Sequence, residues 1–278
     1  MDHQLEKALR PLPATYHRLL DKVLATVEPD DRIRALWLSG SLARGVADAG
    51  SDLDLLIAVR DDALPEFVDG WQEWLATITP TIVARPLPHA PGSFYSTTVD
   101  CARLDVVIES VRDLAGSAHR TRLVVLDRDG LDSTVPQPKP PAQPDPERMD
   151  FLVEEYFRQL AIFPAAVVAR EDWLLGIEGV HNARLMLYQL FVEANQPLPA
   201  MGVKQWTSKL TAAQRDVLQG LPAVAPTRDS VIAAMHATVE AFAHAGREAL
   251  VAAGRTWPAE LADAVDAGLR NTFASGPE

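Results

Sequence analysis

The chain has a single cysteine, Cys101, among its 278 residues. An internal disulfide is therefore excluded, and no Cys/His cluster offers a zinc site. Long apolar runs are also lacking, since the apolar stretch 161–169 contains Pro164 and stops at Arg170. A membrane span needs roughly 18 apolar residues, so none is expected. Residues 1–13 carry charges and prolines rather than the pattern of a signal peptide, which predicts a cytoplasmic protein.

Basic residues are scarce relative to acidic ones. The sequence has 26 Lys and Arg against 38 Asp and Glu, a net charge of -12. Such a surface repels the phosphate backbone that dominates affinity for nucleic acids, so a nucleic-acid partner is disfavoured. The same carboxylate excess suits a metal-dependent enzyme or one that attracts a cationic substrate, and it also suits simple solubility.

Prolines cluster between residues 133 and 148, where large apolar residues are few. This composition predicts a stiff linker over 133–148 that joins a domain at 1–132 to a second domain at 149–278. Runs of Val, Ile and Leu before the linker predict strands at 35–38, 53–59, 81–87, 104–108 and 123–126. Apolar residues at helical spacing predict helices at 19–27 and 64–78.

After the linker the apolar period becomes helical. Asp145 and Pro146 form a good cap and first-turn pair for a helix through Val168, and Thr211 with Gln214 has capping-box spacing. Two further helices are predicted at 174–195 and 229–253. The expected fold class is therefore α+β, with an N-terminal mixed sheet flanked by helices and a C-terminal helical bundle. Residues 255–278 give no clear pattern.

The most informative stretch places Gly40-Ser41 at the end of one predicted strand and Asp52-x-Asp54 at the start of the next. Residues i and i+2 of a strand share a face, so both carboxylates can converge on divalent cations, and hard oxygen ligands favour Mg²⁺. The small Gly40-Ser41 turn lets backbone amides approach a phosphate, to which Arg44 would add a charge-assisted contact.

Two simpler interpretations of this stretch are weaker. A polar turn before an ordinary strand explains neither the apolar runs on both sides nor the Gly-Ser pair. A calcium-binding loop would need glycine where Leu53 stands and a bidentate glutamate where Val59 stands.

Glycine-serine, ten residues, then Asp-x-Asp resembles the DNA-polymerase-β-like nucleotidyltransferase superfamily, and the flank Ser51-Asp-Leu-Asp-Leu is similar to its small bacterial members. The resemblance implies nucleotide binding by Gly40, Ser41, Arg44 and Ser51, with metal binding by Asp52 and Asp54. It also implies a third carboxylate on a later strand, for which Asp105 is the candidate metal ligand and catalytic base. Glu109, four residues on and on the same strand face, is a rival base.

The helical half resembles lincosamide and aminoglycoside nucleotidyltransferases at Arg170–Glu178 and Arg184–Leu190. That resemblance nominates Glu171 and Asp172 for the acceptor, against the alternative of a charged helix face. Lys204 resembles a lysine that reaches the triphosphate, with Lys209 as a substitute and a solvated loop lysine as the alternative.

The expected activity is therefore transfer of a nucleoside monophosphate to a hydroxyl of an aminoglycoside- or lincosamide-type antibiotic. AMP donated by ATP is the first candidate for the transferred group. Two Mg²⁺ ions and ATP or another nucleoside triphosphate are the expected cofactor and co-substrate, and the role would be antibiotic resistance. Two alternatives stay open. One is a toxin- or antitoxin-type nucleotidyltransferase that modifies tRNA or a protein, and the other is a catalytically silent nucleotide sensor. The nucleobase, the hydroxyl and the oligomeric state are not readable from the sequence.

Overall fold

The computed structural model describes residues 3–202 and 204–274. Two units divide the chain, one formed by Met1–Pro140 with Ala200–Gly202 and the other by Pro141–Pro199 with Val203–Glu278. The first unit holds a mixed sheet flanked by helices and the second is helical. This is the α+β fold class that the sequence predicts.

The sheet of the first unit has six strands in the order β3-β4-β5-β2-β1-β6. They are β1 (Ile33–Leu38), β2 (Leu53–Val59), β3 (Thr81–Pro86), β4 (Ser93–Thr98), β5 (Arg103–Ser110) and β6 (Leu123–Asp127). The central pair β2 and β5 is parallel, and the other neighbours are antiparallel. β1 and β2 are almost wholly buried, as expected for strands covered on both faces.

Five helices of the first unit precede or interrupt the strands: α1 (His3–Leu9), α2 (Ala14–Val27), α3 (Gly40–Ala43), α4 (Leu64–Asp69) and α5 (Trp71–Ile78). Apolar residues of these helices pack against one face of the sheet and form its larger core. On β2 and β5 the residues that enter this core alternate, for example Leu55 and Ile57 on β2 and Val106 and Ile108 on β5.

The opposite face of the sheet has a different character at each end. At one end Trp37, Leu56 and Ala58 pack with Leu114 and Leu131 in a small second core. At the other end this face carries the carboxylates of β2 and β5, because Asp54 and Asp105 alternate with the buried leucines of the larger core.

The second unit consists of α6 (Pro146–Ala161), α7 (Trp173–Ala194), α8 (Ala212–Gly220), α9 (Arg228–Ala252) and α10 (Ala259–Ala274). The predicted caps are confirmed, since Asp145 accepts hydrogen bonds from two backbone amides of α6 and Thr211 forms a capping box with Gln214. Tyr156 and Phe242 stack at 3.5 Å between ring centroids in the core. Burial raises the pKa of the Tyr156 hydroxyl.

Several elements differ from the sequence-based prediction. The single helix predicted over 64–78 is wrong, because Gly70, a weak helix former, ends α4 and begins α5. The first bundle helix stops at Ala161, and a π-helical turn over Pro164–Val168 follows it. β4 and α10 were not predicted. Within the described residues, no helix has both the length and the apolar character that crossing a membrane requires.

Candidate active site

The connection from β1 to β2 brings a glycine against a carboxylate. Gly40 follows β1 with a φ of +61°, a left-handed conformation that glycine adopts without strain. A Cβ atom built at Gly40 would lie 1.7 Å from Oδ2 of Asp54. The backbone amide of Ser39 also donates to the carbonyl oxygen of Asp54 at 2.9 Å. The Asp54 carboxylate therefore sits in space that any side chain at position 40 would occupy.

Two buried polar atoms lie at this turn. The Ser41 hydroxyl is buried and has no hydrogen-bond partner among the described residues, and the same is true of Nε of Arg44. A Cβ atom at Gly202 would lie 3.3 Å from Nη2 of Arg44. Buried donors normally find an acceptor, so an oxygen-rich ligand at this turn would satisfy both groups.

Ser51 closes the loop that leads into β2. Its hydroxyl accepts from the amide of Asp48 at 3.0 Å and approaches Oδ1 of the same residue at 3.3 Å. Oδ1 of Asp48 also accepts from the amide of Gly50 at 2.9 Å. The structure thus places Ser51, a predicted nucleotide ligand, inside the loop, where its hydrogen bonds fix the approach to Asp52.

Three aspartates lie at this end of the sheet. Asp54 on β2 pairs in register with Asp105 on the parallel strand β5. Neighbouring strands lie roughly 4.8 Å apart, so the two carboxylates are adjacent on one face. Arg103 joins the third, with Nη1 at 3.1 Å from Oδ2 of Asp52 and Nη2 at 3.4 Å from Oδ2 of Asp105.

The guanidinium of Arg103 forms ion pairs with two of these carboxylates, Asp52 and Asp105. Its side chain is 47% exposed, and its backbone amide donates to the hydroxyl of Tyr16 on α2 at 3.1 Å, which ties the start of β5 to that helix. Three carboxylates are a donor set that suits Mg²⁺. Among the residues described, no three His, Cys, Asp or Glu side chains are already gathered as a metal site. Asp52, Asp54 and Asp105 would hold such an ion, and Arg103 would compete with it for the oxygens of Asp52 and Asp105.

The structure does not bring Glu109 to this cluster. Four residues beyond Asp105, it lies about 13 Å further along β5 at roughly 3.3 Å per residue. There Oε1 of Glu109 accepts from the hydroxyl of Ser117 at 2.9 Å and lies 3.6 Å from Nη2 of Arg120. Between the two candidates for the base, only Asp105 lies beside Asp54.

The remaining candidates belong to the helical unit. Asp172 caps α7, because its Oδ1 accepts from the amide of Leu175 at 3.0 Å. Glu171 is exposed and has a φ of +52°. Lys204 is exposed in a turn, and Lys209 ends a short 3-10 helix. Asp172 therefore has a structural role as the N-cap of α7, and this role accounts for an aspartate at this position without any contact to a substrate.

Arg103 and Tyr95 were missed in the sequence. Arg103 stands two residues before Asp105, which is the spacing that places it on the same strand face, and that signal was available. Tyr95 lies on β4 directly opposite Asp105. It could not be singled out because β4 was not predicted.

Comparison with known proteins is consistent with this geometry over part of the chain. Residues 20–103 match the family model described as nucleotidyltransferase domain, a segment that includes Gly40, Ser41, Asp52 and Asp54 and ends before Asp105. No curated protein matches the chain.

Two solved structures align along most of their length at low similarity. An aminoglycoside 6-adenyltransferase from Bacillus subtilis is 15% identical with a TM-score of 0.45, covering 92% of this chain and 98% of its own. The E. coli MS115-1 CdnC:HORMA-deltaN complex is 15% identical with a TM-score of 0.30, covering 98% of each chain.

Proposed function

We propose that the chain transfers a nucleoside monophosphate to a hydroxyl of a small molecule and releases pyrophosphate, with AMP from ATP as the first candidate. The match of residues 20–103 to the family model described as nucleotidyltransferase domain supports this proposal. One observation carries the proposal. Asp54 lies against the backbone of Gly40 and beside Asp105, in register on the neighbouring strand. That arrangement supports a phosphate-binding role for the Gly40-Ser41 turn, next to paired carboxylates at one end of the central strands.

The side chains divide the chemistry between them. Asp52, Asp54 and Asp105 would hold the Mg²⁺ ions, which when bound supply positive charge against the triphosphate. Asp105 accepts the proton of the acceptor hydroxyl while the oxygen of that hydroxyl forms a bond to the α-phosphorus. The electron pair of the breaking phosphorus–oxygen bond leaves with pyrophosphate. The Ser41 hydroxyl donates to a phosphate oxygen, which gives this buried group the partner it lacks among the described residues.

Positive side chains support the triphosphate in this proposal. Arg44 follows the Gly40-Ser41 turn with a partly buried guanidinium whose Nε has no partner within the described residues. We assign it, together with Lys204, to the phosphates that become pyrophosphate, where negative charge accumulates during transfer.

For the acceptor we propose an aminoglycoside- or lincosamide-type antibiotic, modification of which would confer resistance. The net charge of -12 favours a cationic small molecule over a nucleic acid. Glu171 and Asp172 are both exposed carboxylates. The capping bond of Asp172 uses one oxygen, so its carboxylate retains a second oxygen for an amine.

The deciding experiment is an acceptor screen with purified protein. Aminoglycosides and lincosamides are incubated with Mg²⁺ and each of ATP, GTP, CTP and UTP, and both pyrophosphate release and acceptor mass are measured. We expect one antibiotic to gain the mass of one nucleotide, and the Asp54→Ala variant to give none. Label from ATP that enters tRNA or a protein instead would replace the antibiotic by a macromolecular acceptor. Binding of nucleotide without any transfer would indicate a silent sensor.

A further inference from the structure

One row of side chains crosses the sheet at the level of the aspartates. Residue pairing places Arg85 of β3 opposite Tyr95 of β4, Tyr95 opposite Asp105 of β5, and Asp105 beside Asp54 of β2. Paired residues project from the same face of a sheet, and directly opposed Cβ atoms are about 5 Å apart. Tyr95 and Arg85 therefore continue the row of carboxylates by one and two strands.

The face that carries this row exposes apolar surface. Tyr95 is 36% exposed, and Val83, which projects from the same face of β3, is 41% exposed. Their neighbours on β4 turn the other way, since Phe94 and Ser96 are buried. An exposed aromatic ring thus lies directly opposite Asp105, the proposed base, and an exposed valine lies one strand further out on the same face.

The charge along the row changes sign beyond Tyr95. Arg85 is exposed, and its Nη1 donates to the carbonyl oxygen of its neighbour Ala84 at 3.2 Å. A guanidinium carries five donors, so this bond uses one of them. Arg85 lies two strand spacings, about 10 Å, from the proposed base. Oxygen acceptors on a ligand are favoured at that distance, and an ammonium group there is disfavoured.

Resting on the proposed function, we propose that Tyr95, Val83 and Arg85 form the acceptor platform of the enzyme. A polyhydroxylated ring, a sugar or cyclitol, lies with its apolar C–H face on the Tyr95 ring and Val83. One ring hydroxyl points to Asp105 and is the nucleophile. An oxygen substituent at the far side accepts from Arg85, and the amino groups of the acceptor point away from this row.

Aromatic surface is the natural partner for such a ring. An aromatic contact contributes about 0.5–1.5 kcal/mol beyond the burial of its area, and a tyrosine offers it with little loss of side-chain entropy. The platform also explains how a hydroxyl is held at Asp105, because placing the reacting oxygen is a large part of the catalysis of such a transfer.

The test measures acceptor and nucleotide separately in matched variants, with kanamycin and lincomycin as probes. Tyr95→Ala should raise the acceptor KM about tenfold, while Tyr95→Phe, which keeps the ring, restores most of the affinity. Val83→Ala should raise it about threefold. Val124→Ala is the control, because Val124 is a similarly exposed valine, at 45%, on the other edge strand. Nucleotide affinity, measured by calorimetry without acceptor, should stay within about twofold in all four variants.

The outcomes separate this inference from the proposed function. If the parent modifies neither probe and labels a protein or tRNA, both are overturned. If it modifies a probe and Tyr95→Ala leaves the acceptor KM within twofold, only the platform is overturned. A tenfold loss that Tyr95→Phe does not restore would assign the effect to the hydroxyl and overturn the stacking contact. An equal rise in nucleotide KM would assign Tyr95 to the triphosphate and overturn it as well.

Discussion

One face of the sheet carries two carboxylates of β5, Asp105 at one end and Glu109 at the other, and their surroundings differ. At one end Asp105 lies beside Asp54, near an exposed tyrosine and an arginine that is 47% exposed. At the other end Glu109 borders the small core of Trp37 and Leu114, and its partners Ser117 and Arg120 come from the segment after β5. Asp105 and Asp54 thus mark the open end of this face, whereas Glu109 is held within the fold.

The difference shows that residue type and spacing do not assign a role to a carboxylate. Asp105 and Glu109 are both acidic, lie on one strand and share one face. They differ in their neighbours: Asp105 lies beside Asp54 and shares the guanidinium of Arg103 with Asp52, whereas Glu109 accepts from the Ser117 hydroxyl and lies 3.6 Å from Arg120. A carboxylate next to other carboxylates suits metal binding and proton transfer, whereas one held by a hydroxyl and a guanidinium suits stability.

The largest effect should come from removing a carboxylate at the open end. Asp52→Ala and Asp54→Ala should each lower turnover about 1000-fold or more, which corresponds to roughly 4 kcal/mol of lost transition-state stabilisation. Turnover with Mg²⁺ and a thermal melt are measured together. Since both side chains lie at the start of β2, partly exposed and outside the apolar core, the melting temperature should change little. Turnover within tenfold of the parent in either variant would rule out the metal assignment.

The two ends of the strand can be compared directly through isosteric amides. Asp105→Asn should lower kcat about 100- to 10,000-fold, the usual contribution of a general base, while nucleotide affinity changes less. Glu109→Gln should leave kcat within about threefold. It should instead lower the free energy of unfolding by about 1 kcal/mol, because Arg120 loses the negative charge with which it is paired. Chemical denaturation and steady-state kinetics measure both variants. The reverse pattern would give the base to Glu109.

Much of the sheet could be predicted because its strands are apolar runs. β2 was predicted at its observed bounds, and β1, β3, β5 and β6 within two residues. β4 escaped because its buried positions hold Ser96 and Thr98 as well as Phe94. Ser96 is accommodated in the interior by donating to the carbonyl oxygen of Leu104 at 2.7 Å. A pattern of apolar residues does not reveal a buried position that is filled by a hydrogen-bonded hydroxyl.

The candidate site was predictable only where it is local in sequence. Gly40 and Asp54 are joined by a short connection, so their spacing contains the information. The partners of Glu109 lie 8 and 11 residues away, outside regular strands, and no pattern links them. Tyr95 comes to Asp105 through strand pairing, which a sequence without β4 does not reveal.

Two glycines test whether the open end depends on close backbone approach. Gly40 and Gly45 both have positive φ, +61° and +70°, but a Cβ atom at Gly45 meets nothing within 4 Å. Alanine at either position costs about 1–2 kcal/mol of backbone strain. Gly40→Ala must also displace the Asp54 carboxylate, so it should lower kcat about 100-fold, whereas Gly45→Ala should keep kcat within about threefold. Equal activities of the two variants would show that the contact with Asp54 has no catalytic importance.

The smallest effect concerns the arginines, since each end of the face pairs its carboxylate with one. Arg103 lies at 3.1 Å from Asp52 and 3.4 Å from Asp105, whereas Arg120 lies at 3.6 Å from Glu109. A divalent cation at the open end competes with Arg103 for those oxygens. Partly exposed ion pairs contribute about 0.2–1 kcal/mol, so Arg103→Gln should tighten Mn²⁺ binding about threefold.

Calorimetry with Mn²⁺ alone measures this change without substrate or turnover, and Arg120→Gln is the matched control because its partner lies outside the proposed metal site. We expect Arg120→Gln to leave Mn²⁺ affinity unchanged. Added salt should narrow the difference between the parent and Arg103→Gln, since screening weakens an exposed ion pair first. Weaker Mn²⁺ binding in Arg103→Gln would mean that Arg103 orients Asp52 and Asp105 for the metal instead of competing with it.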